Sequence, residues 1–200
     1  MGKIFCIMGK SGSGKDTILK KLMQHKELGL NPITPYTTRP IRHGETEGVE
    51  YHFISMDEFD KFKLEDKIIE YRSYNTKHGI WNYATIDDGQ IDLNRGNYLV
   101  IGTIEAYNNL VNYFKNIKQI NEQVVVPLYI EIDEETRYQR ALGRELEENN
   151  PKIEEFQRRL EADAIDFSEE KIKAAGITTR YPNIELDSCV NLIIKDIKKL

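Results

Sequence analysis

Residues 9–17 read GKSGSGKDT and follow directly on the apolar run IFCIM. A short, nearly continuous apolar run is what a strand buried on both faces of a parallel sheet shows. After the loop, TILKKLMQH places Ile18, Leu19, Leu22 and Met23 on one helical face. Strand, glycine-rich turn and helix, in that order, leave few architectures open. Gly9, Gly12 and Gly14 let successive backbone N–H groups converge on one concavity. The helix start adds its positive dipole end, and Lys15 brings a point charge to the outer phosphates. Gly9 and the pair Gly14-Lys15 keep the spacing G-x-x-x-x-G-K. Gly9, Lys10, Ser11, Gly12, Ser13, Gly14, Lys15, Asp16 and Thr17 are therefore the expected cradle for a nucleoside triphosphate. A purely structural glycine-rich turn would explain the glycines but not the lysine between strand and helix.

Asp16 stands where such loops usually carry a metal-binding hydroxyl, with Thr17 one residue late. Two readings stay open. Thr17 takes over the metal, or Mg²⁺ is held by phosphates and waters, which that ion tolerates because it dehydrates reluctantly. Asp16 then engages the water shell or caps the first helical turn.

The rest of the chain repeats the strand–helix rhythm. YLVIG (98–102) and VVVPLYIEI (124–132) read as buried strands, each followed by a helical pattern, over 103–114 and 134–146. CVNLIIKDIKKL closes the chain as an amphipathic helix. Alternating strands and helices imply an α/β domain with a parallel sheet. Residues 35–90 break the rhythm: EYHFIS (50–55), KIIEYRSYN (67–75) and GIWNYATI (79–86) read as short strands of a small mixed or antiparallel unit. Ser55 with Glu58 opens a helix between the first two by a capping box. The charged segment 144–167 reads either as a solvated helix pair, its second helix starting at Pro151, or as a mobile arm delivering arginines to a ligand.

A chain of 200 residues suits one well-cored domain with a smaller appendage. Its net charge of -5 argues against a broad nucleic-acid surface. Cys6 and Cys189, far apart, give neither a disulfide framework nor metal spacing, which points to reduced thiols in a cytoplasmic protein. The first apolar run is too short for a signal peptide, and no stretch reaches membrane-spanning length.

A second anion site is expected in YTTRPIRHGETEGVEYHFIS (36–55), where Arg39 and Arg42 can present paired forks to one phosphate and Tyr51 a third donor. Scattered surface arginines are the bland alternative. With this segment in view, the chain resembles the guanylate kinases. The phosphate loop, TTRPIRHGETEGVEYHFISMDEF, IIEY and RYQRALGRE…FQRRL occur in that family's order over nearly the whole chain.

The resemblance implies a three-layer P-loop nucleoside-monophosphate kinase fold: a parallel central sheet, a small mixed acceptor-binding insertion (35–90) and a helical lid (about 140–167) on a core of 1–34 and 91–200. It implies transfer of the ATP γ-phosphoryl to GMP or dGMP with Mg²⁺, by a protein that is monomeric or a homodimer. Carried across by motif, Arg39, Arg42 and Tyr51 would grip the GMP phosphate. Glu70 would accept from the guanine N1–H and amino group, a geometry that rejects adenine's acceptor nitrogen. Tyr83 and Thr85 match the N-x-Y-G-[ST] motif, with Ala84 for the glycine. Lys15, Arg42 and the lid arginines Arg140, Arg144 and Arg159 would act on the transferring phosphates, while Arg137 and Arg158 receive no role. Pro35 replaces a base-contacting serine, and Thr103 replaces an aspartate that contacts the acceptor or the metal shell. Two rivals follow from the same scaffold. One is a kinase of ribose 1,5-bisphosphate, whose loops also read G-K-D-[ST]; the other is a non-catalytic module that binds protein partners. The intact loop and Glu70 favour the nucleotide kinase.

Overall fold

The computed structural model describes residues 1–42, 44–76, 79–120, 122–146 and 153–200. Strand β1 (Ile4–Met8) leads through the glycine loop into helix α1 (Lys15–Gln24). Short strands β2 (Leu30–Pro32), β3 (Tyr36–Thr37) and β4 (His52–Phe53) follow, then α2 (Met56–Leu64) and the hairpin strands β5 (Ile68–Thr76) and β6 (Gly79–Ile86). Next come β7 (Asn97–Ile101), α3 (Ile104–Asn112), β8 (Val125–Glu131), α4 (Glu134–Leu146) and α5 (Ile153–Asp166). Helix α6 (Glu169–Ala174), strand β9 (Arg180–Pro182) and α7 (Leu186–Ile197) complete the chain.

Five strands form an all-parallel sheet in the order β2-β7-β1-β8-β9. Its middle strand shows why the sequence run is unbroken. Ile4, Cys6 and Met8 enter one core with Ile104, Tyr107 and Leu110 of α3, while Phe5 and Ile7 enter the other with Ile18 and Leu22 of α1 and Ile193 of α7. Both faces are dry, so alternation has nothing to distinguish. The reading of an α/β, three-layer architecture holds.

A second sheet, β4-β3-β6-β5, is mixed: β3 runs parallel to β4 and antiparallel to β6. The capping box on α2 is formed as the sequence implies, with the Glu58 N–H donating to Ser55 Oγ at 3.2 Å and the Ser55 N–H to Glu58 Oε2 at 2.8 Å. Two expectations need correction. EYHFIS is extended over 50–55 in the sequence reading, yet only His52–Phe53 pair as strand, because β4 has one partner. Helix 103–114 ends as α at Asn112 and continues as a π-helical turn over Tyr113–Ile117, with the Lys118 N–H donating to Tyr113 O at 3.1 Å. The expected helix start at Pro151 lies outside the described residues.

Candidate active site

The glycines of the loop are fixed by their neighbours as well as by backbone angle. Gly14 is the left-handed N-cap of α1 (φ 89°), and a Cβ there would lie 2.4 Å from Asn183 Nδ2. Gly12 (φ 82°) approaches α4 so closely that a Cβ would lie 2.4 Å from Arg137 O. Asn183, at the end of β9, donates through Nδ2 to Ser13 O at 2.8 Å. Lys15 folds back over the loop and donates to Lys10 O at 3.0 Å. Burial holds its ammonium below the ordinary lysine range; Asp16 and Asp163 oppose the shift, while Arg144 and Arg137 add to it.

Two helices close on this loop. Arg137 of α4, given no role by the sequence, is buried. Its Nε and one terminal nitrogen donate to Glu134 Oε2 at 2.8 and 2.6 Å, and the other terminal nitrogen donates to Ser11 O at 3.4 Å. Glu134 also takes Lys10 Nζ at 2.5 Å. From α5, Asp163 accepts the Ser11 N–H at 2.7 Å and stands 3.6 Å from Arg137. Arg140 and Arg144 are exposed on α4; Arg140 donates to Asn183 O at 3.4 Å, and Arg159 pairs with Glu145. A groove of about 460 Å³ runs beside the loop, bounded by Lys10, Ser13, Asp133, Pro182 and Ile184. Asp16 and Thr17 are exposed on the first turn of α1.

The second sheet builds the other half. Arg39 is buried beneath two rings, its guanidinium 5.3 Å from the Tyr51 centroid and 5.5 Å from that of Phe53. Glu45 holds its fork by two bonds of 2.9 and 2.8 Å, and accepts the Arg42 N–H at 2.7 Å. Arg39 Nε is left buried without a hydrogen-bond partner. The Arg42 side chain is exposed. Tyr51 meets Tyr83 edge-on at 5.7 Å. Its phenol lies within electrostatic reach of Arg39, Arg72 and Asp16, and burial pushes its pKa up to about 12. Across the β5–β6 pair Glu70 faces Thr85, whose hydroxyl donates to Glu70 Oε1 at 2.9 Å; Glu70 Oε2 has no hydrogen-bond partner. Thr103 caps α3, accepting the Ala106 N–H at 3.3 Å, and also accepts from Arg72 at 3.2 Å.

The family model for guanylate kinase matches residues 1–170. The chain belongs to the guanylate kinase family. Guanylate kinase from Neisseria gonorrhoeae is 36% identical over 105 residues, 52% of this chain and 49% of that protein. The Schizosaccharomyces pombe guanylate kinase is 38% identical over 69 residues, 34% of each chain. The chain thus aligns with about half or less of these relatives' length. The crystal structure of guanylate kinase from Anaplasma phagocytophilum superposes with a TM-score of 0.63 at 18% identity, covering 99% of this chain and 85% of that one, which supports the fold. Within this guanylate kinase scaffold, the residues expected from motif alone fall into two groups. Lys15, Arg140 and Arg144 gather at the loop, while Arg39, Tyr51, Tyr83, Glu70 and Thr85 gather on the second sheet. Arg42 turns its side chain to solvent. Sequence reasoning missed Arg137, Asp163 and Asn183, which reach the loop over large sequence separations and carry no local signal. It also missed Arg72, whose position two residues beyond Glu70 on one strand was a usable signal.

Proposed function

We propose that this protein transfers the γ-phosphoryl group of ATP to GMP or dGMP, giving ADP and the corresponding diphosphate. One observation carries the reading: beside a glycine loop of the phosphate-binding kind, the second sheet buries the Arg39 guanidinium 5.3 Å from the Tyr51 ring, its fork held by Glu45 and its Nε unpartnered, as a second site for an anion requires. The loop amides and Lys15 hold the β- and γ-phosphates, with the ATP base in the groove beside Pro182 and Ile184. Arg39, oriented by Glu45 and with Nε unpartnered, grips the acceptor phosphate together with Tyr51. An acceptor phosphate oxygen forms the new bond to the γ-phosphorus as the bond to the β–γ bridging oxygen breaks and its electron pair leaves with ADP. That acceptor oxygen is already anionic near neutral pH, so positioning and charge neutralisation suffice and no general base is needed. Arg140, Arg144 and Arg159 supply positive charge from the lid side, and the second sheet over 35–90 serves as the acceptor-binding insertion.

No group of three or more His, Cys, Asp or Glu gathers to hold a metal among the described residues. Mg²⁺ would be carried mainly by phosphates and water, with the exposed Asp16 carboxylate or Thr17 hydroxyl bounding its water shell. Bound there, Mg²⁺ would neutralise charge on the β- and γ-phosphates. No helix among the described residues is long and apolar enough to cross a membrane. Buried, unpaired Cys6 and Cys189 suit a cytoplasmic setting, as monomer or homodimer.

A coupled ADP-release assay offering GMP, dGMP, AMP and ribose 1,5-bisphosphate tests the reading. GMP and dGMP are the expected acceptors, and the Arg39→Ala variant should raise the GMP KM by about 10- to 100-fold, the scale of losing a charge-assisted hydrogen bond. Turnover of the sugar bisphosphate with GMP inert would overturn it.

A further inference from the structure

Arg72 is a guanidinium that the phosphoryl-transfer scheme does not use. It projects from β5 on the same face as Glu70, two residues away, and opposite Tyr83 on β6. Its side chain is only 17% exposed, a costly place for a permanent cation. The partners it finds are incomplete. One terminal nitrogen donates to Thr103 Oγ1 at 3.2 Å, and Nε stands 3.4 Å from Glu70 Oε2. Yet neither Nε nor Oε2 makes a hydrogen bond, although both atoms are shielded from solvent. Thr85 already occupies the other Glu70 oxygen.

On this face of the second sheet an unfilled acceptor, Glu70 Oε2, therefore lies directly beside the Arg72 Nε–H, 3.4 Å away. A ligand edge with a donor next to an acceptor completes both at once. A lactam edge, N–H adjoining C=O, has that pattern, and 6-oxopurines carry it. A 6-aminopurine reverses it, setting its amino group toward the arginine and a lone pair toward the carboxylate.

We propose that Arg72 is a specificity-determining residue, donating to the carbonyl of a 6-oxopurine lactam whose N–H is taken by Glu70. The inference rests on the GMP-acceptor reading and adds the residue that reads the acceptor's carbonyl side. Arg72 bridges from the second sheet to Thr103, the cap of α3, so a base held here is also held against the main sheet.

The test is steady-state kinetics of the full chain with GMP, IMP and AMP, for the natural protein and for Arg72→Ala and Arg72→Lys. GMP and IMP share the lactam. Arg72→Ala should lower kcat/KM for both by about 10- to 100-fold, chiefly through KM, and leave AMP nearly unchanged. Arg72→Lys keeps the charge beside Glu70 but not the planar fork, so it should recover only part of the loss. Calorimetric binding of the same nucleotides gives the ratio where AMP turnover is too slow to follow. A GMP-to-AMP ratio within two-fold of the natural protein's, or equal losses toward both nucleotides, would overturn the assignment, as would full recovery by lysine. If a thermal melt shows Arg72→Ala unfolded, Arg72→Lys and Arg72→Gln carry the same comparison. A natural protein inert toward GMP defeats the acceptor reading itself, a result visible before any variant is made.

Discussion

Lys15 does two jobs with one ammonium. It donates to Lys10 O at 3.0 Å, and in the proposed reaction it would also serve the outer phosphates. Burial, seconded by Arg144 and Arg137, keeps its pKa below the ordinary lysine value. A lowered pKa means the proton is lost at a lower pH than from a free lysine, so the phosphate-binding form disappears earlier as pH rises. ATP affinity should therefore fall as pH climbs toward and through the ordinary lysine value of 10.5, beginning below it, while a Lys15→Met variant shows no such limb. The same variant should lose roughly 100- to 1,000-fold in kcat/KM, as expected when one preorganised donor to a reacting group is removed. Isothermal titration across alkaline pH and single-turnover rates check both; pH-independent binding in the natural protein would contradict the account. Lys15 was legible from its spacing to Gly9, and Arg39, Glu70 and Thr85 from their motifs. Arg137 was not: beyond its helical neighbour Glu134, it is held by Ser11 and Asp163, contacts that only the fold creates.

The elements themselves sort by length. β1, β8, α1 and α4 are legible because each has enough residues for a period to declare itself. β2, β3, β4 and β9 have two or three residues each, and tertiary partners rather than local preference hold them extended. The loop between β1 and α1 shows how element packing dictates composition. Gly12 sits against the backbone of α4, so a methyl group there must displace Arg137 O as well as tolerate a positive φ. Gly12→Ala should cost about 1–3 kcal/mol of stability, the usual range for strained or overpacked sites. It should weaken ATP binding more than GMP binding, because only the loop is displaced. Thermal denaturation with nucleotide titrations measures this, and a variant of natural stability and ATP affinity would refute the close-packing argument.

Taken whole, the molecule is a parallel sheet whose phosphate loop is contacted by α4 and α5, with α5 also reaching the second sheet, where Arg158 stands 5.6 Å from the Tyr74 ring centroid. The sequence reading sent the lid arginines toward the phosphates but gave no sign of Asp163, which lies 152 residues from Ser11 in the chain. That single charge-assisted bond tethers α5 to the phosphate loop. Asp163→Ala should speed hydrogen exchange across Ile153–Asp166 by about 10- to 100-fold and leave β1 and β7 protected. Unchanged exchange in α5 would show that its position depends on other contacts.

The Asn183 side chain grips Ser13 O from 170 residues further along the chain. A ribosome emitting this polypeptide vectorially thus releases the phosphate loop long before its brace. The loop therefore gains this brace only once residue 183 has left the ribosome.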